Sequence, residues 1–137
     1  MTRRALLCLV TTLLAARTLV AEQAPGGRVF ELRTYTASPG KLDALNARFR
    51  DHTVALFKKH GMEVVGFWMP IDKDAGAGEK LVYVLARRSR AAADASWNAF
   101  RADPEWVKVK ADSEKDGGLT VKIESVFLAG TDYSPLK

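Results

Sequence analysis

The sequence predicts an α+β fold of the ferredoxin-like type, in which a four-stranded antiparallel sheet carries both helical segments on one face. Three observations support this prediction. The length of 137 residues suits a single domain. Four segments have the composition and alternation of strands, and two segments with helical periodicity separate the first strand from the second and the third from the fourth. The resulting order is βαββαβ, with strands predicted at 29–36, 62–69, 80–87 and 119–129.

The first strand, VFELRTYT, has one apolar face. Phe30 and Leu32 alternate with Glu31, Arg33 and Tyr35, the period of two that is typical of a half-buried strand. Because apolar side chains normally face the core, we expect Phe30 and Leu32 to point toward the helices. Glu31, Arg33 and Tyr35 are then expected on the opposite face.

The first helical segment follows directly. Ser38 is a suitable cap, and Pro39 suits the first helical turn, where its missing N–H costs nothing. The segment is predicted to run to Lys59, with Gly61 as its stop. A hairpin loop at 70–79 then joins the second and third strands.

The second helical segment is predicted to break and restart. Ser89 caps its first part, and Asp103 followed by Pro104 is a second cap with proline in the first turn. Gly117 and Gly118 are expected to end the segment before the last strand.

The sheet face turned away from the helices is expected to be covered. It would carry Tyr35 and apolar residues of the third strand beside Lys122 and Glu124, a mixture that is not typical of a solvated surface. We therefore expect a symmetric homodimer, with Arg33 and Glu124 forming an ion pair at the interface. The alternative is a monomer with one solvated sheet face.

The N-terminus has the layout of a secretory signal peptide. Arg3 and Arg4 precede an apolar run at 5–16, and small residues follow up to Ala21. The run is shorter than the roughly 20 residues of a membrane-spanning helix, although an uncleaved anchor is an alternative. Removal of residues 1–21 takes away three arginines and lowers the net charge from +5 to +2, which disfavours nucleic-acid binding. An exported protein, periplasmic or secreted, is expected.

The only cysteine, Cys8, lies inside this predicted signal. The mature chain is therefore expected to have no disulfide, no thiol nucleophile and no thiolate metal ligand. Two histidines, His52 and His60, lie eight positions apart, which is a weak basis for a zinc site. No metal site is predicted.

Four stretches carry a resemblance to a known family: ELRTYTASPGKLDAL, FRDHTVALFKKHGMEVVGFW, SRAAADASWNAFRADPEW and IESVFLAGTDYSP. In this order and spacing they resemble the NIPSNAP family of the dimeric α+β barrel superfamily, over residues 28–136. The resemblance implies ferredoxin-like protomers joined sheet to sheet. It also implies a cavity between sheet and helices, which related families use for cofactor-independent, quinol-type monooxygenation or for haem. Such likeness of fold does not assign a reaction.

His52 is the sharpest candidate for chemistry. It continues an apolar stripe through Leu42, Leu45, Phe49 and Leu56 at spacings of three and four residues, which points it at the gap between helix and sheet. There it would be a ligand-binding residue, a general base toward a phenol, or an axial haem ligand. A hydrogen-bonded core histidine is the alternative. His60, near the helix end, is expected to complement the helix dipole.

Aromatic residues are the other candidates for ligand binding. Trp97 and Phe100 lie on one face of the second helical segment, and Trp68 ends the second strand, whereas Trp106 is expected to be structural. Tyr83, Arg33 and Tyr35 on the strands complete the predicted ligand-binding set. The sequence thus favours binding of a small apolar or aromatic molecule without a cofactor. The alternatives are a cofactor-independent monooxygenase, a haem-binding protein, and an interaction protein with a filled core and no cavity.

Overall fold

A four-stranded antiparallel sheet organises residues 27–137, the part of the chain that the computed structural model describes. The predicted signal peptide, residues 1–21, lies outside these residues. The strand order is β2-β3-β1-β4, which confirms the ferredoxin-like prediction. The strands are β1 Val29–Ala37, β2 Glu63–Trp68, β3 Lys80–Arg87 and β4 Thr120–Ala129. The helices are α1 Leu42–Arg48, α2 Val54–Lys59, α3 Arg90–Ala102 and α4 Pro104–Ser113.

The first helical segment is continuous but not regular. A single π-helical turn, Phe49–Thr53, joins α1 to α2. The segment also starts later than predicted, because Pro39 and Gly40 form a turn before it, with the N–H of Lys41 bonded to the carbonyl of Ser38 at 2.9 Å. The Ser38 hydroxyl donates to the carbonyl of Gly118 at 2.7 Å, so Ser38 ties two loops together and does not cap a helix.

Three other predicted helix boundaries are confirmed, whereas α4 ends at Ser113, before the predicted stop at Gly117 and Gly118. The Ser89 hydroxyl accepts from the N–H of Ala92 at 3.0 Å, and the Asp103 carboxylate accepts from the N–H of Glu105 at 2.8 Å. Gly61 ends α2 with a positive φ of 68°, a conformation that L-residues rarely adopt. These local signals fix the start of α3, the start of α4 and the end of α2.

The prediction for the two faces of β1 is wrong. Glu31 and Tyr35 contact the helical layer, since Glu31 accepts a hydrogen bond from Trp97 of α3 and the ring of Tyr35 packs edge-on against Phe49. Phe30 and Leu32 therefore lie on the opposite face. Alternation locates two faces but does not say which one is covered. Here the Glu31 carboxylate is paired with Arg33 and Arg87, which offsets much of the usual cost of burying a charge.

The face without helices is largely apolar. We call it the uncovered face and define it by Leu32 and the residues in register with or next to it: Val82 and Val84 of β3, and Val126 and Leu128 of β4. Val126 is half-exposed at 51%. Within residues 27–137, no helix is both long and apolar enough to cross a membrane.

Candidate functional site

The carboxylate of Glu31 is the centre of a buried polar network under α3. It is 1% exposed and accepts hydrogen bonds from four side chains on three other elements and its own strand. Arg33 donates at 2.7 Å, Arg87 at 3.0 Å, the indole of Trp97 at 2.9 Å and the hydroxyl of Ser125 at 3.1 Å. Burial alone raises the pKa of Glu31, but the hydrogen bonds from Arg33 and Trp97 and the charges of both arginines outweigh it. The pKa is lowered, so Glu31 is ionised.

The network continues along β1 toward the centre of the sheet. Arg33 donates to the hydroxyl of Tyr35 at 3.4 Å, and Tyr83 donates to the same hydroxyl at 3.1 Å. The guanidinium of Arg33 also stacks over the ring of Trp97, with 4.4 Å to the ring centroid. Burial and the neighbouring Tyr35 raise the pKa of Tyr83, so the Tyr83 phenol stays neutral near pH 7.

A small cavity lies beside this network, between the sheet and the helical layer. Its volume is about 80 Å³. Tyr35 of β1 and Ile123 of β4 form the sheet side, and the rest of the wall is mostly aromatic side chains from the helices. These are Phe49, Phe57, Trp97, Phe100 and Trp106. The prediction of an aromatic-lined space between sheet and helices therefore describes the geometry correctly.

The remaining wall of this cavity carries charge. Arg48 of α1, Lys110 of α4 and Glu114, which follows α4, all line it. The guanidinium of Arg48 lies 2.8 Å from the Glu114 carboxylate, and the ammonium of Lys110 lies 3.2 Å from it. Burial raises the pKa of Glu114, but the hydrogen bonds from Arg48 and Lys110 outweigh this effect. The net pKa is lowered, so Glu114 is ionised. The cavity thus combines an apolar interior with a cationic edge.

Helix α4 closes one side of the cavity but is weakly anchored. None of its residues is fully buried. It is held by Trp106 packed on Phe100, with 4.5 Å between ring centroids, and by the Arg48–Glu114 pair at its far end. At its near end Asp103 accepts from Lys59 and His60 at 2.8 and 2.7 Å, which hold the pKa of Asp103 well below its ordinary range.

The prediction that His52 faces the sheet is wrong. Its side chain is exposed on the outer surface of the helix, in an open groove between α1 and α4. The π-helical turn explains the difference, because i→i+5 hydrogen bonding adds a residue to the turn and shifts the register of the helix. Thr53 takes the buried position instead, and its hydroxyl donates to the carbonyl of Arg48 at 3.2 Å.

The other predicted ligand-binding residues divide into three groups. Trp97, Phe100 and Tyr35 line the cavity. Arg33 and Tyr83 lie beneath it, within the network that Glu31 and Tyr35 anchor. Trp68 does not contribute, because it lies on the side of the sheet away from the helices and is 52% exposed.

The predicted interface pair of Arg33 and Glu124 is also wrong. Arg33 is in register with Ser125, so Glu124 lies on the opposite face of the sheet, where it pairs with Lys122 at 2.8 Å. Sequence reasoning missed Arg48 and Phe57 as cavity residues and assigned Trp106 only a structural role. Arg48 lies three positions after Leu45 and directly before Phe49, on the same helical face, which was the available signal for it.

The site does not suit haem or a metal ion. No histidine lines the cavity, and about 80 Å³ is far below the size of a cofactor pocket, which is roughly 300 Å³ or more. In residues 27–137, no group of three or more His, Cys, Asp or Glu side chains converges on a point that suits a metal. The alternatives that relied on His52 as an axial ligand or as a base in this cavity lose their residue.

Comparison with known sequences gives one clear result. A family model described as NIPSNAP matches residues 30–135, which is most of the chain. A search among curated proteins finds no match.

Several solved structures share the fold. A NIPSNAP family protein with unknown function from Agrobacterium tumefaciens is 23% identical with a TM-score of 0.70, covering 84% of this chain and 98% of its own. An uncharacterised NIPSNAP-like domain protein from Burkholderia xenovorans is 16% identical with a TM-score of 0.69, covering 81% and 91%. SnoaB, a cofactor-independent oxygenase from Streptomyces nogalater, is 14% identical with a TM-score of 0.50, covering 80% and 99%. At these identities the likeness concerns the fold alone.

Proposed function

The chain belongs to the NIPSNAP family, and we propose that it is an exported homodimer in which each protomer binds a small apolar or aromatic molecule between sheet and helices. One observation carries the binding proposal. Six aromatic side chains converge on a cavity between the sheet and the helices. Convergent aromatic walls with a few polar groups at one edge are typical of small-molecule sites.

The size of the cavity sets the kind of guest. At about 80 Å³ it is roughly half the volume of the apolar cavity of about 150 Å³ that accommodates benzene. A single aromatic ring therefore needs a small outward shift of α4. Such a shift is inexpensive, because α4 has no fully buried residue to expose.

Binding of fluorobenzene, followed by fluorine NMR, tests the proposal. We expect saturable binding to the wild type and loss of binding in Ile123→Trp, which places a large ring at the edge of the cavity. Val121→Trp is the matched control, since Val121 lies on the same strand, is also exposed and does not line the cavity. Equal binding by both variants, or none by the wild type, would contradict the proposal.

The homodimer proposal rests on the uncovered face. Its aliphatic side chains form an apolar surface across three strands, from Val84 of β3 through Leu32 of β1 to Val126 of β4. Contiguous apolar surface of this kind is unusual on a monomer and typical of an interface. In a two-fold symmetric dimer, the same surface of each copy forms the interface, and an apolar surface can pack against an identical one. A second copy of the chain is therefore the occupant that we propose.

Sedimentation equilibrium tests the assembly. Val126→Lys is expected to weaken the dimer strongly, because it places a charge in the core of the proposed interface. Val126 is half-exposed in the protomer, so the substitution should leave the fold of the protomer intact. Val107→Lys, at an equally exposed apolar position on α4, is expected to leave the dimer unchanged. A wild-type monomer at all concentrations would overturn this part.

The export proposal rests on the N-terminal sequence alone. Arg3, Arg4 and the apolar run at 5–16 form the charged and apolar regions of a signal. Fusion of residues 1–26 to a reporter that is active only outside the cytoplasm is expected to give activity. Replacing Leu6 and Leu7 with Asp is expected to abolish it. An inactive wild-type fusion would contradict export.

A monooxygenase reaction is not part of the proposal. The reaction would need a base beside the bound phenol, and the ionisable side chains of the cavity wall are Tyr35, Arg48, Lys110 and Glu114. Arg48 and Lys110 are cations and Tyr35 is a phenol, so none of the three is suited to act as the base. The Glu114 carboxylate is already paired with both cations. The site supports binding, and the likeness to SnoaB is one of fold.

A further inference from the structure

We propose that the guest of the aromatic cavity is an aromatic carboxylate, and that Arg48 binds its carboxylate in exchange for Glu114. This inference rests on the proposed ligand binding and names the class of ligand. It follows from one buried donor, from the charge of the cavity wall and from the way α4 is attached.

Arg48 has hydrogen-bonding capacity that the protein does not use. Its side chain is only 4% exposed and forms part of the cavity wall. One of its terminal nitrogens donates to Glu114 and, at 3.3 Å, to the hydroxyl of Ser113. Its Nε–H is buried and has no acceptor among the described residues. A buried donor without a partner is costly, so an acceptor brought by a ligand is favoured there.

The charge of the cavity wall favours an anion. Arg48 and Lys110 are the cations of the wall, and Glu114 is its one acid, which leaves a net charge of +1 at the edge of an apolar space. The network beneath adds the same sign, since Arg33 and Arg87 share the single carboxylate of Glu31. A guanidinium binds a carboxylate with two parallel hydrogen bonds, a geometry that neutral guests do not offer.

Glu114 already occupies the place that a ligand carboxylate would take. It sits against Arg48 and Lys110 at 2.8 and 3.2 Å, at the loosely held end of α4. When a ligand replaces it at Arg48, Glu114 can turn toward solvent and keep a counter-charge, because it also pairs with Lys110, whose side chain is 56% exposed. The exchange frees the end of α4, and the cavity can widen to admit an aromatic ring. Glu114 is thus an internal competitor for the ligand.

Fluorine NMR titration with three compounds tests this inference: 4-fluorobenzoate, the neutral 4-fluorobenzamide and fluorobenzene. We expect 4-fluorobenzoate to bind the wild type roughly tenfold more tightly than the amide, as for a hydrogen-bonded charge at a partly desolvated site. In Arg48→Gln this preference is expected to disappear while fluorobenzene still binds. Retained fluorobenzene binding shows that the cavity has folded.

The effect of Glu114→Gln has a distinctive sign. Removing the competitor is expected to tighten 4-fluorobenzoate binding several-fold and fluorobenzene binding by less, because fluorobenzene gains only from the freed end of α4 and not from Arg48. Asp112→Asn is the matched control, because it removes the same charge two residues earlier in the chain, at a position that does not line the cavity. It is expected to have no such effect.

The outcomes separate the inference from the binding proposal beneath it. If fluorobenzene binds but benzoate and benzamide bind equally, the cavity binds guests and the carboxylate inference is wrong. If Glu114→Gln and Asp112→Asn tighten benzoate binding equally, general charge rather than competition at Arg48 is responsible, and the inference is again wrong. If no compound binds, the binding proposal itself fails.

Discussion

The two faces of the sheet differ in a way that reverses the simplest expectation. The face under the helices carries Glu31, Arg33 and Arg87, whereas the uncovered face carries aliphatic side chains such as Val84 and Val126. The buried charges are paired and hydrogen-bonded, so their burial is compensated. Among residues 27–137, no helix covers the aliphatic face. The inner face of this sheet is therefore identified by its paired and hydrogen-bonded charges and not by apolar side chains.

The largest expected effect comes from breaking the charge balance of the covered face. Glu31→Gln keeps the shape of the side chain but leaves Arg33 and Arg87 without a counter-charge. We expect the free energy of unfolding to fall by about 3–5 kcal/mol, the cost of removing one partner of a buried ion pair. Urea denaturation followed by circular dichroism measures it.

Glu63→Gln is the control for this variant. It removes an acid that pairs with Arg28 at 2.9 Å, but in an exposed position where such pairs contribute about 0–1 kcal/mol. If the two variants lost similar stability, the covered network would not be the stabilising feature that its geometry indicates.

A smaller effect is expected from comparing two tryptophans, one on each face. Trp97→Phe keeps the ring but removes the indole N–H that donates to Glu31 at 2.9 Å, and should cost about 1.5–3 kcal/mol, as for a hydrogen bond to a charged group. Trp68→Phe, on the half-exposed opposite side, should cost the monomer less than about 0.5 kcal/mol. Thermal unfolding of both variants, at protein concentrations low enough to dissociate the proposed dimer, gives the comparison. A larger loss for Trp68→Phe would reverse the assignment of the faces.

The pH dependence of stability tests the same network. Because the pKa of Glu31 is lower in the folded state than its ordinary value of 4.5, its contribution is complete above that value and is lost as the pH falls through the folded-state pKa. Each unit between the two pKa values is worth about 1.4 kcal/mol. The difference in unfolding free energy between wild type and Glu31→Gln should therefore be largest above pH 4.5 and should shrink as the pH falls through the folded-state pKa. A difference that stayed constant would mean that Glu31 is not the titrating group.

The sequence was informative where local rules act. Periodicity predicted the order of strands and helices, and Ser89, Asp103 and Gly61 marked helix ends because caps and stops depend on a few adjacent residues. The uncovered face was misassigned because alternation along β1 is symmetrical. Contacts between distant positions, such as that of Glu31 with Trp97 66 positions away, decide which face is inside.

The candidate site was predicted in part for the same reason. Trp97 and Phe100 follow from regular helical spacing, and they do line the cavity. His52 was misplaced because the spacing rule assumes an unbroken α-helix, and nothing in FRDHT announces a π-helical turn. The periodicity of the sequence does not reveal the contacts that accompany the turn, such as the hydrogen bond from the buried Thr53 hydroxyl to the carbonyl of Arg48.

The smallest expected effect concerns His52 itself. Because its side chain is exposed on the outer surface of the helix, His52→Ala should change the free energy of unfolding by less than about 0.5 kcal/mol and leave fluorobenzene binding unaltered. Thr53→Val should cost about 1 kcal/mol, since it replaces a buried hydroxyl that donates to a backbone carbonyl. The neighbouring pair thus measures the register of the helix. If His52→Ala were the more damaging change, the π-helical turn would not form in solution, and the histidine would face the cavity as a regular helix requires.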